Sequence, residues 1–477
     1  MLLSLDGSFF CGMEIFMQII RKVLIESEKK DFALEINRQN ECKPQYPFGV
    51  AVDIGTTTVV MGLYDMQSGK RINSAQARNA QTQMGSDVVM RLMHCQNGHQ
   101  KKLQNMIVEQ IEAMVQDMAE GFCNMADIGF MTVVGNTTMC HIFAGQDTSG
   151  LAGSPFKPAY RGSLTFKGKE VHFQKLQDVI VYIVAGIDAH VGADAVAMAA
   201  SLEIMDDSCC SLAVDIGTNA EMVFNYFGEL FACSVPAGPA FEGAEISCGM
   251  RGERGAIAGV RLAYQTGNVI LEVLEEGITG AGKCIPKGIC GSGLIDVIAG
   301  LRQGGLIKED GYLLTRQEAE GLNIHPDLTA RLHEDGFVLY QPDSEDEGNG
   351  EVILTRQDIR QFQLAKAAVQ TGIRLLLAGS GCSVDQLQHL YIAGVFGGHI
   401  SQSSACKTGL FPVMKQGRLR VVGNAAGDGA ARALLVKEFR EKSQEFARKV
   451  QHIDMAQEEC FKKEYLTAMD IEAWGTV

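Results

Sequence analysis

Two short apolar runs in this chain end in the same polar turn. Residues 50–54 read Val-Ala-Val-Asp-Ile, and Gly-Thr-Thr-Thr and a second apolar run follow them. Residues 212–216 read Leu-Ala-Val-Asp-Ile, and Gly-Thr-Asn-Ala-Glu follows. Apolar β-branched runs on both sides of a polar cluster that contains glycine are typical of two strands joined by a tight turn. The pattern therefore predicts a strand-turn-strand unit twice.

The residues that follow each unit are also alike. In the first copy, residues 59–65 are followed by a turn at 67–69 and a third run at 71–78. In the second copy, residues 221–226 are followed by a turn at 227–228 and a third run at 229–235. A repeat of this length is an architectural unit. The sequence predicts a duplicated three-strand meander with a site at its first turn.

The residue types in the two turns suit a phosphate ligand. Gly55 and Gly217 let the backbone approach a ligand closely, and the turn amides and threonine hydroxyls can face an anion. Asp53 and Asp215, at the strand ends, can hold Mg²⁺ through water. A single copy is equally well explained as an ordinary β-hairpin. Two copies that face each other predict a site that binds a polyphosphate from both sides.

Helical patterns occupy much of the remaining chain. Residues 355–358, Thr-Arg-Gln-Asp, predict a capping box before an apolar face that runs from Ile359 to Leu376 at helical spacing. Residues 188–202 are rich in small residues and predict a helix that can approach another helix closely. Residues 150–175 are rich in Gly, Ser and Pro and are expected to form an insertion or a loop. Residues 288–293 either bind an anion at a helix start or form a tight loop capped by Ser292.

The length of 477 residues is too great for one core and predicts several domains. We place an N-terminal extension at residues 1–47 and a first lobe at 48–205. A second lobe is placed at 206–440, and a C-terminal helical tail at 441–477.

Composition narrows the class of protein. The net charge of −15 makes nucleic acid an unlikely partner, and no apolar run has membrane-spanning length. None of the 14 cysteines forms a C-x-x-C pair, which predicts a reducing, cytoplasmic location and no iron–sulfur cluster in this chain.

Several further motifs carry a family resemblance. The paired turns resemble those of the actin, sugar-kinase and heat-shock-chaperone ATPase superfamily. Within it, the chain from about Phe48 to Val436 resembles the C-terminal ATPase domain of reductive activators of corrinoid proteins. The motifs are residues 133–139, 237–244, 246–251, 288–296, 363–368 and 391–397. This resemblance implies an α/β fold of two duplicated actin-like, ribonuclease-H-like lobes with a nucleotide cleft between them.

The resemblance also implies site residues, with ATP and Mg²⁺ as cofactors. Asp53 and Asp215 are expected at the metal and in catalysis, and Asp188 is the one candidate for a general base. Lys366 is interpreted as a solvated charge or, by resemblance, as a nucleotide contact. The residues expected to bind the nucleotide are Gly55, Thr56, Thr57, Thr58, Gly217, Thr218, Asn219, Gly394, Gly397, Gly398, Asn424 and Gly427.

The implied function is ATP-dependent reactivation of a corrinoid methyltransferase system. Activators of this kind usually carry a ferredoxin-like cluster domain before the ATPase, whereas only Cys11 and Cys42 precede Asp53 here. We therefore expect a separate ferredoxin-like electron carrier beside the corrinoid partner. Whether the chain forms a homodimer is left open. Two alternatives remain: a small-molecule kinase that uses Asp188 as its base, and a nucleotide-gated binding module without turnover.

Overall fold

The computed structural model describes residues 46–205, 208–275, 284–342, 350–394, 400–455 and 458–475. Each predicted meander forms three adjacent strands of a six-stranded sheet. The first meander comprises β1 (Phe48–Ile54), β2 (Thr58–Asp65) and β3 (Arg71–Arg78). Strands β4 (Ile128–Gly135), β5 (Leu164–Lys167) and β6 (Ile180–Ile183) complete this sheet in the order β3-β2-β1-β4-β6-β5. Strands β4 and β6 run parallel to β1, because helices connect them.

The second sheet repeats this arrangement. Its meander comprises β7 (Cys210–Ile216), β8 (Ala220–Tyr226) and β9 (Glu229–Val235). Further along the chain, β10 (Ala256–Ala263), β11 (Asn268–Val273) and β12 (Gly288–Ile289) form a small separate sheet, and β13 (Gly336–Tyr340) and β14 (Val352–Thr355) form a hairpin. Strands β15 (His389–Ala393), β16 (Leu419–Gly423) and β17 (Gln451–His452) then complete the order β16-β15-β7-β8-β9-β17.

Helices cover both sheets. Those that precede residue 208 are α1 (Val88–His94), α2 (Gln100–Ala119), α3 (Thr137–Ala144) and α4 (Ala193–Ser201). Those that follow it are α5 (Gly291–Gln303), α6 (Arg316–Gly321), α7 (Pro326–Thr329), α8 (Arg356–Gly379), α9 (Gln402–Lys407), α10 (Ala425–Leu435), α11 (Lys437–Lys449) and α12 (Phe461–Thr467). No helix of the described residues is long and apolar enough to cross a membrane.

The predicted capping box begins the longest helix, α8. The Thr355 hydroxyl accepts from the backbone N–H of Asp358 at 3.1 Å, and the Asp358 carboxylate accepts from the N–H of Thr355 at 2.8 Å. The same carboxylate also accepts from the backbone N–H of Ser247 at 2.7 Å. Two elements that are distant in sequence are therefore fixed to one helix start.

Helices α10 and α11 pack on the first sheet although they lie late in the chain. Ala430, Leu434 and Phe446 belong to the same apolar core as β1 and β4, and the buried Thr132 hydroxyl donates to the carbonyl of Ala430 at 2.7 Å. Helix α10 crosses α4 closely, because a Cβ on Gly429 would lie 2.2 Å from the carbonyl oxygen of Ala197. The expectation that small residues allow two helices to approach is confirmed here.

Two expectations from the sequence need correction. Residues 150–175 are not only a loop, because β5 lies within them and pairs with β6 at the edge of the first sheet. Ser292 does not cap the loop at residues 288–293, since its buried hydroxyl donates to the carbonyl of Ala258 at 2.8 Å. The glycines beside it allow close packing instead: a Cβ on Gly291 or Gly293 would lie 2.0 or 2.1 Å from a backbone oxygen.

Candidate functional site

The two first turns of the meanders line one cleft between the sheets. Residues from both copies of the repeat contribute to its walls, together with residues from α4, α10 and the loop after β9. The lining residues that the sequence predicted are Asp53, Gly55, Thr56, Thr57, Thr58, Asp215, Gly217, Thr218, Asn219, Gly394 and Asn424. The structure thus brings together residues that the chain separates by more than half of its length.

Side-chain bonds from outside the meander fix the first turn. Asn136 accepts from the N–H of Met139 at 3.0 Å as the cap of helix α3, and its amide donates to the Thr56 hydroxyl oxygen at 2.9 Å. The hydrogen of that hydroxyl can therefore be donated to a ligand in the cleft. A Cβ on Gly55 would lie 2.6 Å from the carbonyl oxygen of Thr58, which explains why the turn requires glycine.

Acidic residues surround the second turn. The Thr218 hydroxyl donates to the Glu242 carboxylate at 2.8 Å, and the backbone N–H of Gly238 donates to the carbonyl of Thr218 at 2.8 Å. Glu221 lies opposite Asp215 on the neighbouring strand and accepts from the Ser234 hydroxyl at 3.3 Å. Asp194, in the first turn of α4, completes the set of acids that line the cleft.

These carboxyl groups raise one another's pKa values. Burial, followed by the charge of Asp194, raises the pKa of Asp53 to about 7 in spite of a hydrogen bond from Asn424. Burial and the neighbouring carboxylates raise the pKa of Asp215 to about 8, and burial raises that of Asp194 to about 6. The pKa of Glu221 is also raised, by burial and then by Asp194. So much unbalanced negative charge favours a cation or protons in the cleft.

The donor set suits Mg²⁺ held mainly through water. Within the described part of the chain, no three His, Cys, Asp or Glu side chains are grouped closely enough to hold a metal ion directly. Mg²⁺ keeps several waters and takes one or two carboxylates plus phosphate oxygens. Asp53 and Asp215, one from each lobe, fit that requirement.

A glycine ends the strand beside each of these aspartates. Gly394, with φ +119°, follows β15, and a Cβ there would lie 2.5 Å from the carbonyl oxygen of Ile216. Gly135, with φ +155°, ends β4, and a Cβ there would lie 2.6 Å from the carbonyl oxygen of Ile54. In both lobes, therefore, the backbone of a glycine packs directly against the end of the strand that carries the aspartate.

Some predicted residues lie elsewhere. Asp188 does not line the cleft: its carboxylate lies 3.0 Å from Arg161 and 3.3 Å from His452. Gly427 lines an adjoining groove, and its N–H donates to the Asn424 side chain at 2.8 Å. Gly397 and Gly398 lie outside the described residues.

The interpretation of Lys366 as a solvated charge was wrong, and the structure gives no support to the interpretation as a nucleotide contact. Its side chain is fully buried and does not line the cleft. The ammonium donates to the carbonyl of Ala468 at 2.8 Å and to that of Asp470. Burial lowers the pKa of Lys366 to about 7. Lys366 thus attaches the C-terminal segment to helix α8.

Sequence reasoning missed several residues of the site. Asn136 was recognised only as part of a motif, and Glu221 only as part of a repeat. Asp194 and Glu242 were not singled out, although each lies in a segment rich in small residues beside a predicted element. Arg91, Asn79 and Gln81, which lie behind the first turn, carried no signal in the sequence.

Comparisons with known proteins agree with this geometry. A family model described as the C-terminal domain of RACo, the ASKHA domain, matches residues 209–476, and one described as the RACo middle region matches residues 48–207. ASKHA denotes the actin, sugar-kinase and heat-shock-chaperone superfamily.

Individual relatives match over most of the chain. The corrinoid activation enzyme RamQ of Eubacterium limosum is 32% identical over 432 residues, which are 89% of this chain and 70% of the relative. The Co(II) methylated amine-specific corrinoid protein reductase of Methanosarcina barkeri is 23% identical over 454 residues, which are 90% and 78% of the two chains. The solved structure of a reductive activator for corrinoid, iron-sulfur protein superposes with a TM-score of 0.80 at 31% identity and covers 91% of this chain and 67% of that one. The chain belongs to the RACo family, and the predicted fold of two actin-like ATPase lobes is confirmed.

Proposed function

We propose that this protein uses ATP to drive the reductive activation of a corrinoid protein. The observation that carries the proposal is the cleft lined by both Gly-Thr turns and by Asp53 and Asp215. Both turns offer the backbone and hydroxyl groups that bind phosphates. The named activities of the relatives support a corrinoid protein as the partner.

Each part of the cleft has a distinct proposed role. The turns at Gly55 and Gly217 hold the phosphates from opposite lobes, and Gly394 leaves room for the nucleoside against the backbone. Asp53 and Asp215 would hold Mg²⁺, which offsets the charge of the phosphates and of the carboxylates. Because one ligand contacts both lobes, its binding favours a closed arrangement of the lobes.

The electron is proposed to come from a separate low-potential carrier such as a ferredoxin. The absence of any C-x-x-C from the sequence supports this assignment, because clusters usually need closely spaced thiolates. Nucleotide binding can shift a partner's equilibrium by a coupling of about 1–3 kcal/mol, but it supplies no electron. Cobalt reduction would therefore need this chain, ATP and the carrier together.

The test follows the cobalt(I) absorption of a candidate corrinoid protein while each component is omitted in turn. Only the complete mixture should give cobalt(I). Asp53→Asn and Asp215→Asn should abolish the ATP-dependent formation of cobalt(I). Asp117→Asn, at an exposed position on α2, is the matched control and should leave it unchanged. Reduction without the carrier would contradict the separate-carrier assignment. Lack of ATP binding by the unmodified chain would contradict the whole proposal.

No observation favours the small-molecule kinase. Its candidate base, Asp188, is engaged with Arg161 and His452 outside the cleft. A general base must lie within hydrogen-bond reach of the hydroxyl that attacks the γ-phosphate.

A further inference from the structure

The first phosphate turn is held from behind by three fully buried polar side chains: Asn79, Gln81 and Arg91. The Asn79 amide donates to the carbonyl of Gly55 at 2.9 Å, and the Arg91 guanidinium donates to the carbonyl of Thr56 at 2.5 Å. Two consecutive carbonyls of the turn therefore point into the first lobe.

This arrangement fixes the direction of the turn's N–H groups. In a trans peptide unit, the C=O and the N–H point in opposite directions. The carbonyls of Gly55 and Thr56 share their peptide units with the N–H groups of Thr56 and Thr57. Those N–H groups consequently point away from Arg91 toward the cleft, which Thr56 and Thr57 line.

Burial of the charged Arg91 side chain behind the turn is energetically costly. Its Nε donates to the carbonyl of Gly85 at 3.1 Å, and a terminal nitrogen donates to the Gln81 side-chain oxygen at 3.2 Å. These acceptors and the carbonyl of Thr56 are neutral, and in the described part of the chain no carboxylate lies within ion-pair distance of the guanidinium. Burial lowers the pKa of Arg91 to about 10, so the group is still charged at neutral pH.

A buried charge normally has a counter-charge, because desolvation of an unpaired ion is costly. The negative charge of Asp87 offsets part of this cost, since it raises the pKa of Arg91 against the effect of burial. A phosphate group at the Thr56 turn would supply further negative charge. A donor on the carbonyl also polarises the peptide unit, so that the N–H on its other side becomes a stronger donor. Both effects act in the same direction on an anion in the cleft.

We propose that Arg91 is a positioning residue for the nucleotide phosphates, which it serves through the Thr56–Thr57 peptide rather than by contact. Its positive charge and its bond to Thr56 orient and strengthen the amides that face the phosphates. This inference rests on the proposed function, since it assumes that a polyphosphate binds in the cleft.

The test measures the binding of ATP with Mg²⁺, of ADP with Mg²⁺ and of adenosine by calorimetry. Arg91→Met removes the charge and the donors, and we expect about a tenfold loss or more in ATP affinity, which is the usual worth of a charge-assisted hydrogen bond. The loss should decrease from ATP to ADP and be absent for adenosine. Arg91→Lys keeps the charge and should restore part of the ATP affinity.

Arg448→Met, at an exposed arginine on α11, is the matched control and should bind all three ligands as the unmodified chain does. An equal loss for adenosine and ATP, or an unchanged ATP affinity, would overturn the inference. If Arg91→Met does not fold, the affinities of Arg91→Lys for ATP, ADP and adenosine decide. An equal loss of affinity for all three ligands would refute the positioning role of Arg91. Failure of the unmodified chain to bind ATP refutes the proposed function instead, so the two failures are distinguishable.

Discussion

Asp215 and Glu221 lie directly opposite each other on β7 and β8 of the second meander. In the first meander the residue opposite Asp53 is Val60, although Glu221 aligns with Val59 when the two aspartates are superposed in sequence. The difference arises from turn length. Residues 217–219 connect the pair Ile216 and Ala220, whereas residues 55–58 connect Ile54 and Val59. A shift of one residue in strand register moves each side chain to the opposite face of the sheet. Here this shift places the Glu221 side chain in the cleft.

This pair leads to a first prediction. Glu221→Gln removes one of two carboxyl groups whose repulsion opposes ionisation in the protein without ligand. The substitution should leave the melting temperature without ligand unchanged or higher, while it weakens Mg²⁺-dependent ATP binding about 3- to 30-fold. Calorimetry at several Mg²⁺ concentrations checks this, with Glu109→Gln on the exposed face of α2 as the control. A lower melting temperature with unchanged metal dependence would show that Glu221 is structural.

The raised pKa values predict how stability depends on pH. Asp194, Asp53 and Asp215 have folded pKa values of about 6, 7 and 8, all above the ordinary aspartate value of 3.8. The folded state thus binds more protons than the unfolded state between about pH 4 and 8. Stability from these groups is present below pH 4 and is lost as pH rises through the folded pKa values.

Urea unfolding between pH 5.5 and 8.5 measures this effect. The urea midpoint should fall as pH rises in the absence of ligand. Mg²⁺ with ATP should make the midpoint depend less on pH, since a bound cation offsets the carboxylate charge that protons otherwise neutralise. A midpoint that rises with pH over this range, without ligand, would contradict the assignment of the raised pKa values.

A matched pair of glycine substitutions tests the close approach beside Asp215. Gly394→Ala places a Cβ 2.5 Å from the carbonyl oxygen of Ile216 at φ +119°, whereas Gly417→Ala meets nothing within 4 Å at φ +85°. Both alanines carry the cost of positive φ, roughly 1 kcal/mol. Gly394→Ala should be destabilised further and should lose ATP binding, as chemical denaturation and calorimetry would measure. Equal losses of stability and of ATP binding in the two variants would mean that the close approach of residue 394 to the Ile216 carbonyl is unimportant.

Lys366→Met tests the attachment of the C-terminal segment. The substitution leaves the carbonyls of Ala468 and Asp470 without their donor, at a cost of about 1–3 kcal/mol. Limited proteolysis should then cleave near residues 461–475 faster, while ATP affinity stays the same because Lys366 is remote from the cleft. A loss of ATP affinity without faster cleavage would restore the interpretation of Lys366 as a nucleotide contact. Lys407→Met, at the exposed C-terminal end of α9, is the control.

The sequence was sufficient for the elements whose signals are local. The meanders, the turns at Gly55 and Gly217 and the capping box at Thr355 depend on neighbouring residues and were predicted. Glu221 was not, because its direction depends on the length of a turn. Arg91 and Lys366 were not, because a long charged side chain in a helix has the same sequence signal whether it is solvated or buried. Burial is decided by packing partners that lie far away in the chain.

The return of α10 and α11 to the first sheet has a consequence for synthesis on the ribosome. The core of the first lobe includes Leu434 and Phe446, yet its strands are complete by residue 183. The first lobe therefore emerges with an uncovered apolar face and keeps it while the whole second lobe is translated. At about 5–20 residues per second, that interval is on the order of ten seconds or more. We expect nascent chains that stop before residue 425 to bind chaperones that recognise exposed apolar surface, and those that extend past residue 450 to be released.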